Sequence, residues 1–263
     1  MKKVLMSLAV ICTTFFCTTA CIAGTVVKEN RKTEPFSKIS AGSCIDVYYT
    51  KNDSYSIVVE ANEDYIGKII TKVENETLVL KMEGGIKTSI WNLWGKKLLK
   101  VHVSAPTLDK VSISGCSDFY ADKLKCDNSF QLNASGGSDT KITNLTVAGN
   151  VSISISGGAD ADITNLTVAG NTNISASGGA DCNIKNLQTV ECNLSASGGS
   201  DLDLHVKLSG NLKAKVSGGA DINLSGKAND ISVSASGGSD VDIRKLTCRN
   251  ADIHSSGGSD VYK

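Results

Sequence analysis

Hydrophobic and polar residues alternate with a period of two through the C-terminal half of the chain. Val151, Ile153 and Ile155 alternate with serines, and beyond a glycine pair Ala161 and Ile163 alternate with aspartates. A period of two predicts β-strands that bury one face and expose the other to water. We therefore expect an all-β architecture for this part of the chain.

A single five-residue motif, Ser-Gly-Gly-(Ala/Ser)-Asp, separates the alternating segments. A variant, Ser-Gly-Cys-Ser-Asp, begins at Ser114, and successive motifs start 19 to 21 residues apart. Repetition at so constant a period is typical of a solenoid. The complete motifs begin at Ser135, Ser156, Ser177, Ser197, Ser217, Ser236 and Ser256.

Two arrangements can use a unit of strand, Gly-Gly turn, strand and second turn. A Gly-Gly pair between alternating strands also fits an antiparallel hairpin. A meander of hairpins does not require like residues at a strict period, whereas a parallel coil does, since equivalent residues then stack about 4.8 Å apart. We therefore predict a parallel β-helix-like solenoid with coils of about 20 residues.

The glycine pairs have a local explanation in turn chemistry. A sharp corner requires positive φ, which glycine adopts without steric cost, while the flanking Ser and Asp can bond to turn amides. We predict that these glycines are structural: Gly136, Gly137, Gly157, Gly158, Gly178, Gly179, Gly198, Gly199, Gly218, Gly219, Gly237, Gly238, Gly257 and Gly258.

The first 20 residues have the features of a signal peptide. Lys2 and Lys3 precede an apolar stretch of about a dozen residues, which is too short to span a bilayer. One interpretation is ordinary signal-peptide cleavage after Ala20 or Ala23. The other is lipoprotein processing, in which Cys21 is lipidated and becomes the new N-terminus. The chain then divides into an N-terminal β region, 24–110, predicted to cap the solenoid, and the repeats, 111–263. We predict no transmembrane segment.

Six cysteines follow the candidate lipidation site. No pair has the C-x-x-C spacing of a zinc or redox motif. If the exported chain forms a disulfide, the register favours Cys182 with Cys192, which face inward on opposite walls of one coil. Buried free thiols are the alternative that we favour for most of the six.

Residues 84–97 interrupt the strand pattern and contain both tryptophans of the chain. Trp91 and Trp94 could form an exposed contact patch. The alternative is a loop that covers the open end of the solenoid core, since repeat arrays need end caps.

Several segments resemble the DUF2807 family of exported proteins, described as autotransporter adhesins with a head GIN domain and common in Bacteroidetes. The resemblance covers about residues 35–263 and rests on 36–49, on 101–108 and on the Ser-Gly-Gly-x-Asp turns, although family turns usually read Gly-Ser-Gly. It implies a right-handed solenoid and an adhesin-like role.

The repeats also stack carboxylates, which raises the question of a metal. The motif aspartates form one column, and a partial second column holds Asp162, Asp203 and Asp242. Related solenoids with Gly-Gly-x-Gly-x-Asp turns bind calcium, but the second glycine of that pattern is missing here. We expect a solvated ladder and assign no metal ligand and no cofactor. The motif aspartates are Asp118, Asp139, Asp160, Asp181, Asp201, Asp221, Asp240 and Asp260.

These observations favour a non-catalytic adhesin-like binding or scaffolding module. Lys plus Arg and Asp plus Glu both number 27, so no net charge draws the chain to nucleic acid. The alternative is a carbohydrate-active β-helix lyase or hydrolase, which would need long loops to build a cleft. We expect no catalytic residues and a partner that is an envelope protein or polysaccharide. The expected location is the periplasm, outer membrane or surface of a Gram-negative bacterium, with a lipid anchor as the one membrane contact.

Overall fold

The computed structural model describes residues 25–84 and 99–263, and β-strands form most of this part of the chain. The described residues hold 23 strands and one helix of four residues, α1, Glu63–Ile66. The predicted signal peptide and the proposed site residues Cys21, Trp91 and Trp94 lie outside the described residues. The N-terminal strands are β1 Val26–Arg31, β2 Lys38–Ala41, β3 Asp46–Lys51, β4 Ser56–Asn62, β5 Ile69–Glu74, β6 Thr77–Met82 and β7 Leu99–Ala105.

The repeats contribute two strands per coil, one on each side of every motif turn. They are β8 Lys110–Gly115, β9 Phe119–Cys126, β10 Phe130–Gly136, β11 Asp139–Val147, β12 Val151–Gly157, β13 Asp160–Val168, β14 Thr172–Gly178, β15 Asp181–Thr189, β16 Cys192–Gly198, β17 Asp201–Leu208, β18 Leu212–Gly218, β19 Asp221–Lys227, β20 Asp230–Gly237, β21 Asp240–Thr247, β22 Asn250–Gly257 and β23 Asp260–Tyr262.

The strands form two sheets that face each other across one core. Sheet I has the order β1-β4-β7-β3-β9-β11-β13-β15-β17-β19-β21-β23, and sheet II has the order β22-β20-β18-β16-β14-β12-β10-β8-β2-β6-β5. From β8 onward the chain alternates between the sheets, and each strand pairs in parallel with the strand two further along, as β11 does with β13. The predicted β-solenoid is confirmed, with about seven turns and coils of about 21 residues.

The motifs stack in register, which places like residues above one another. Gly157 is paired with Gly178 in sheet II, and Asp160 is paired with Asp181 in sheet I. Two local shifts interrupt the ladders of sheet I, one of them between Ile184 and Leu187. Paired residues are 20 positions apart before this shift, 19 apart after it and 20 apart again at Cys192 and Leu212, so the next turn restores the residue that β17 omits and the corners stay aligned.

The core is narrow and is filled by the inward positions of both sheets. Val151, Ile163 and Leu166 are almost completely buried in one coil, and the largest buried side chains are Phe36, Phe119 and others near the N-terminal end. Small and branched residues suit the short distance between the two walls, which agrees with an aromatic content of 5%.

The parallel ladders continue on the N-terminal side of residue 111. Strand β2 pairs with β8, and β3 pairs with β9, so residues 38–51 form a coil that precedes the first motif. Strands β6 and β7 add a further layer. Antiparallel strands then finish both sheets, β5 against β6 and β1 against β4. This arrangement supports the proposal that residues 24–110 cap the solenoid.

The two glycines of each motif are in different conformations. The first has positive φ in all seven complete motifs, for example 82° at Gly178, whereas the second does not. A Cβ at Gly178 would lie 2.8 Å from the carbonyl oxygen of Gly157 in the preceding coil. At Gly179 the nearest atom would be 3.8 Å away, an ordinary contact. Only the first glycine is therefore required by backbone geometry.

We predict that Gly178→Ala destabilises the protein by about 2 kcal/mol or more. Alanine would have to adopt the left-handed backbone conformation, and its Cβ would be too close to the Gly157 carbonyl oxygen of the preceding coil. The melting temperature should fall by about 4–8 °C. Gly179→Ala is the matched control and should change stability by less than about 0.5 kcal/mol. Equal effects of the two variants in thermal melts would contradict this distinction.

The disulfide of the described residues joins Cys44 to Cys116, with a Cα–Cα distance of 4.4 Å. The Cys182–Cys192 pairing, expected if a disulfide formed, is wrong, and the favoured alternative of buried free thiols is confirmed for these two residues and for Cys126. Burial raises the pKa of the Cys182 and Cys192 thiols to about 12. These thiols fill the core and are therefore unreactive at neutral pH.

The Cys44–Cys116 disulfide fastens the N-terminal coil to the first motif turn. The Ile45 N–H, next to Cys44, donates to the Ser117 hydroxyl at 2.9 Å, so the two turns also share a hydrogen bond. The bridge spans 72 residues of sequence. A loop of that length restricts the unfolded chain strongly in the chain-entropy model.

We predict that reduction of this disulfide lowers the free energy of unfolding by about 2–4 kcal/mol. Urea denaturation of the wild type should shift to lower concentration in the presence of a phosphine reductant. The double variant Cys44→Ser, Cys116→Ser should start at the lower stability and show no response to the reductant. An unchanged urea midpoint of the wild type after complete reduction would contradict the prediction.

Candidate functional site

The outer surface of sheet I carries the predicted column of motif aspartates. The ladders place Asp139, Asp160, Asp181 and their successors to Asp260 in one register position. The same register continues through Asp118 to Asp46 of β3, a member that the motif search missed because its turn lacks Gly-Gly. We call these residues, Asp46 included, the aspartate column.

Partial burial and mutual repulsion alter the acidity of the column. The pKa values of Asp139, Asp160 and Asp201 are raised, first by burial and then by the neighbouring aspartates. Backbone donors offset part of this cost. The Asp139 N–H donates to Asp118 Oδ1 at 3.1 Å, which links successive coils through the carboxylates.

The second aspartate column is interrupted by uncharged amides. Asp162 is paired with Asn183, and Asp203 follows Asn183 in the next coil. Asp242, at the end of this column, has a pKa of about 2 because the Arg244 side chain donates hydrogen bonds to it. Like charges in this column are thus separated by asparagine or paired with a cation. Among the described residues, no group of three or more His, Cys, Asp or Glu is arranged to hold a metal ion.

We predict opposite stability changes for removing a charge in the two columns. Asp160→Asn should raise the melting temperature slightly at pH 7, by an energy on the order of 0.5 kcal/mol, because the amide relieves repulsion and can still accept a hydrogen bond. Asp242→Asn should lower it, because the variant loses the Arg244 ion pair.

The pH dependence follows from the direction of each pKa shift. Because the pKa of Asp160 is raised in the folded protein, its ionised form destabilises the fold at neutral pH. The increase in stability from Asp160→Asn should therefore vanish as the pH falls below 3.8, the ordinary pKa of an aspartate, where the carboxyl is protonated in both states. The loss from Asp242→Asn should be present above 3.8 and disappear as the pH falls through about 2. Melts at pH 7 and pH 3 check both signs, and the same sign for both variants at pH 7 would refute the account.

Sheet I also carries a cluster of stacked rings that the sequence did not reveal. Tyr48 of β3 lies between His102 of β7 and Tyr120 of β9, with ring centroids 5.3 and 4.9 Å apart. His102 Nε2 lies 3.1 Å from Glu60 Oε2. Hydrogen bonds from His102 and Lys28 lower the pKa of Glu60. We call Tyr48, His102 and Tyr120 the aromatic cluster.

The outer surface of sheet II has a different character. Its outward side chains on β10, β12, β14 and β16 are all serine, asparagine or glutamine. The Asn193 amide donates to Asn173 Oδ1 at 2.9 Å, so amides stack from coil to coil. We call this surface the neutral face, and it comprises Gln131, Asn133, Ser135, Ser152, Ser154, Ser156, Asn173, Ser175, Ser177, Asn193, Ser195 and Ser197.

A groove of about 330 Å³ lies at one side of the neutral face, where the strands of sheet II begin. Lysines of β2 and β8 stand at one end, and the rest of the walls combines amides and hydroxyls with the apolar side chains of Phe130 and Val151. The lining residues are Lys38, Asp109, Lys110, Ser129, Phe130, Gln131, Asn150, Val151, Ser152 and Asn173. Sequence reasoning did not single out this groove, because its walls come from five different coils.

Of the residues predicted from sequence, the fourteen motif glycines and the motif aspartates fall at the corner between the sheets. The proposed tryptophan patch and lipidation site lie outside the described residues. No helix among the described residues has the length and hydropathy needed to cross a membrane.

These features define a repeat protein of the β-solenoid class with polar outer surfaces. A family model described as "Putative auto-transporter adhesin, head GIN domain" matches residues 35–210 and 208–262. The chain therefore belongs to the DUF2807 family, as its motifs indicated. No protein with a curated description matches the chain.

Solved structures share the fold at low sequence identity. A "putative adhesin" from Parabacteroides merdae ATCC 43184 is 15% identical and has a TM-score of 0.76, covering 91% of this chain and 96% of that chain. Another from Parabacteroides distasonis ATCC 8503 is 15% identical and has a TM-score of 0.75, with coverages of 90% and 97%. A "Putative lipid binding protein" from the same strain is 14% identical, with a TM-score of 0.69 and coverages of 91% and 98%.

Proposed function

We propose that this protein is an exported, non-catalytic module that binds or scaffolds at the cell envelope of a Gram-negative bacterium, in the manner of an adhesin. The observation that carries the proposal is the absence of inserted loops from the coils of 111–263. Within 111–263 the strands are joined by short turns, and no inserted loop builds walls around the sheets. Two surfaces whose residues repeat in register over many coils are suited to an extended partner.

The chemistry of these surfaces supports a polar partner. Sheet I presents the aspartate column and the aromatic cluster, and sheet II presents the neutral face. Tyrosine is enriched where proteins bind partners, because its ring is apolar and its hydroxyl is polar. An envelope protein or a polysaccharide fits such surfaces. Side chains of both sheets fill the interior of the solenoid, so its core does not favour the lipid binding for which one structural neighbour is named.

Trp91 and Trp94 are a further part of the proposal. Their segment joins Gly84 to Leu99, and Leu99 begins the strand β7 that contributes His102 to the aromatic cluster. A contact patch formed by these tryptophans would therefore be connected directly to a surface strand. The matching test is loss of partner binding by the double variant Trp91→Ala, Trp94→Ala without a change in melting temperature.

The N-terminal segment supports a proposal for export and for a lipid anchor. We propose that residues 1–20 direct export, with cleavage before Cys21 and its lipidation, or cleavage after Ala20 or Ala23 without it. The adhesin-like family supports an envelope location. Mass spectrometry of the mature N-terminus distinguishes the two routes, because only one leaves a diacylglyceryl group on Cys21.

The proposal is tested by measuring binding and turnover together. The purified protein should bind intact envelopes or envelope extracts in a saturable manner and should release no product from the polysaccharides of that extract. Saturable binding without products supports a binding module. Enzyme-dependent release of oligosaccharides would contradict it and favour a lyase or hydrolase.

A further inference from the structure

The groove beside the neutral face has an unusual arrangement of charge. Lys38 of β2 and Lys110 of β8 are directly paired across neighbouring parallel strands, and both line the groove. Like charges in directly opposed positions are destabilising. A surface that serves only solubility would gain from an acidic residue in one of these places.

Acidic neighbours only partly neutralise the positive charges of Lys38 and Lys110. Lys38 lies 3.6 Å from Glu76, whose side chain is 73% exposed, so this pair is weak. Lys110 forms no ion pair with any residue of 25–84 or 99–263 in this structure. Asp109, also in the lining, accepts a hydrogen bond from the Cys126 thiol at 3.1 Å. The end of the groove at Lys38 and Lys110 is therefore suited to an anion.

The rest of the groove offers hydrogen bonds in both directions. Gln131, Asn150 and Asn173 contribute amides, which both donate and accept, and two serines contribute hydroxyls. Phe130 and Val151 add apolar surface, on which the C–H faces of a sugar ring can pack. Ligands with many hydroxyl groups require such mixed donors and acceptors. The volume of about 330 Å³ lies at the lower end of the range for small-ligand sites, and the groove opens directly onto the neutral face.

We propose that this groove binds an acidic saccharide unit, with its carboxylate or sulfate group between Lys38 and Lys110 and its hydroxyls on the amide and serine walls. A longer glycan would continue across the uncharged side chains of the neutral face. The inference rests on the proposed function and makes it more specific, because it names both the surface and the class of partner.

The test is a panel of immobilised oligosaccharides containing glucuronate, galacturonate, sialate or sulfated sugars. Each is paired with its carboxyl-reduced, desialylated or desulfated counterpart. We expect at least one acidic member to bind about tenfold more tightly than its neutral partner, since charge-assisted hydrogen bonds are lost with the acid. The carboxylated and sulfated members distinguish the two sources of the anion.

Matched lysine variants locate the binding. Lys110→Gln should weaken binding of the acidic oligosaccharide about tenfold. Lys213→Gln is the control, because Lys213 occupies the same outward column of sheet II several coils away, and it should change binding less than twofold. Both side chains point outward, so equal melting temperatures will show that both variants fold.

Titration of the protein with the acidic oligosaccharide that binds best locates the site independently of the variants. The side-chain amide resonances of Asn150 and Asn173 should shift in nuclear magnetic resonance spectra, while that of the remote Asn250 should not. Failure of every acidic oligosaccharide to bind better than its neutral partner would overturn the proposal, as would equal effects of Lys110→Gln and Lys213→Gln.

These measurements separate the groove assignment from the adhesin-like function. If Lys110→Gln and wild type bind envelopes equally and neither prefers acidic sugars, the groove assignment is wrong while the adhesin-like function stands. If the wild type binds neither envelopes nor any glycan, both are wrong.

Discussion

The corner at which each coil passes from sheet II to sheet I constrains the rest of the fold. The backbone there has positive φ, and the corner of the next coil rests directly on it. A Cβ at Gly178 would meet the carbonyl oxygen of Gly157 at 2.8 Å, and the N–H of Gly179 donates to that same oxygen at 2.7 Å. A residue with a side chain would separate the coils at the point where they are hydrogen-bonded. The first glycine of each motif therefore holds the stack in register.

This register also determines the chemistry of the surface. Because equivalent residues lie above one another, a single choice in the motif is repeated along the whole rod. The aspartate column is one consequence, and its raised pKa values show the cost of repetition. The chain limits that cost with backbone donors, with asparagines such as Asn183 in the second column, and with Arg244 beside Asp242. On β10, β12, β14 and β16 of sheet II the repeated outward residues are uncharged, which leaves a polar surface suited to hydroxyl-rich partners.

The repeats could be predicted from the sequence because every coil repeats the same local rules. The N-terminal coils could not, since their turn reads Gly42-Ser43-Cys44 and takes positive φ at Ser43 and Cys44 without the Gly-Gly signature. For the disulfide, a signal existed: Cys44 and Cys116 each stand two residues before an aspartate of the column. The aromatic cluster and the groove gave no such signal, because their residues come from strands that are distant in sequence and adjacent only once the sheets are ordered.

Distance measurement between spin labels on the rod tests the parallel, in-register stack most directly. Ser112, Ser195, Ser234 and His254 occupy one outward column of sheet II. Pairs of cysteine variants in a Cys248→Ser background should give separations from position 112 of about 19, 29 and 34 Å, at about 4.8 Å per coil. A linear increase with the number of coils is the predicted result. Separations that do not increase by a constant step per repeat would contradict the solenoid register on which the surfaces and the groove depend.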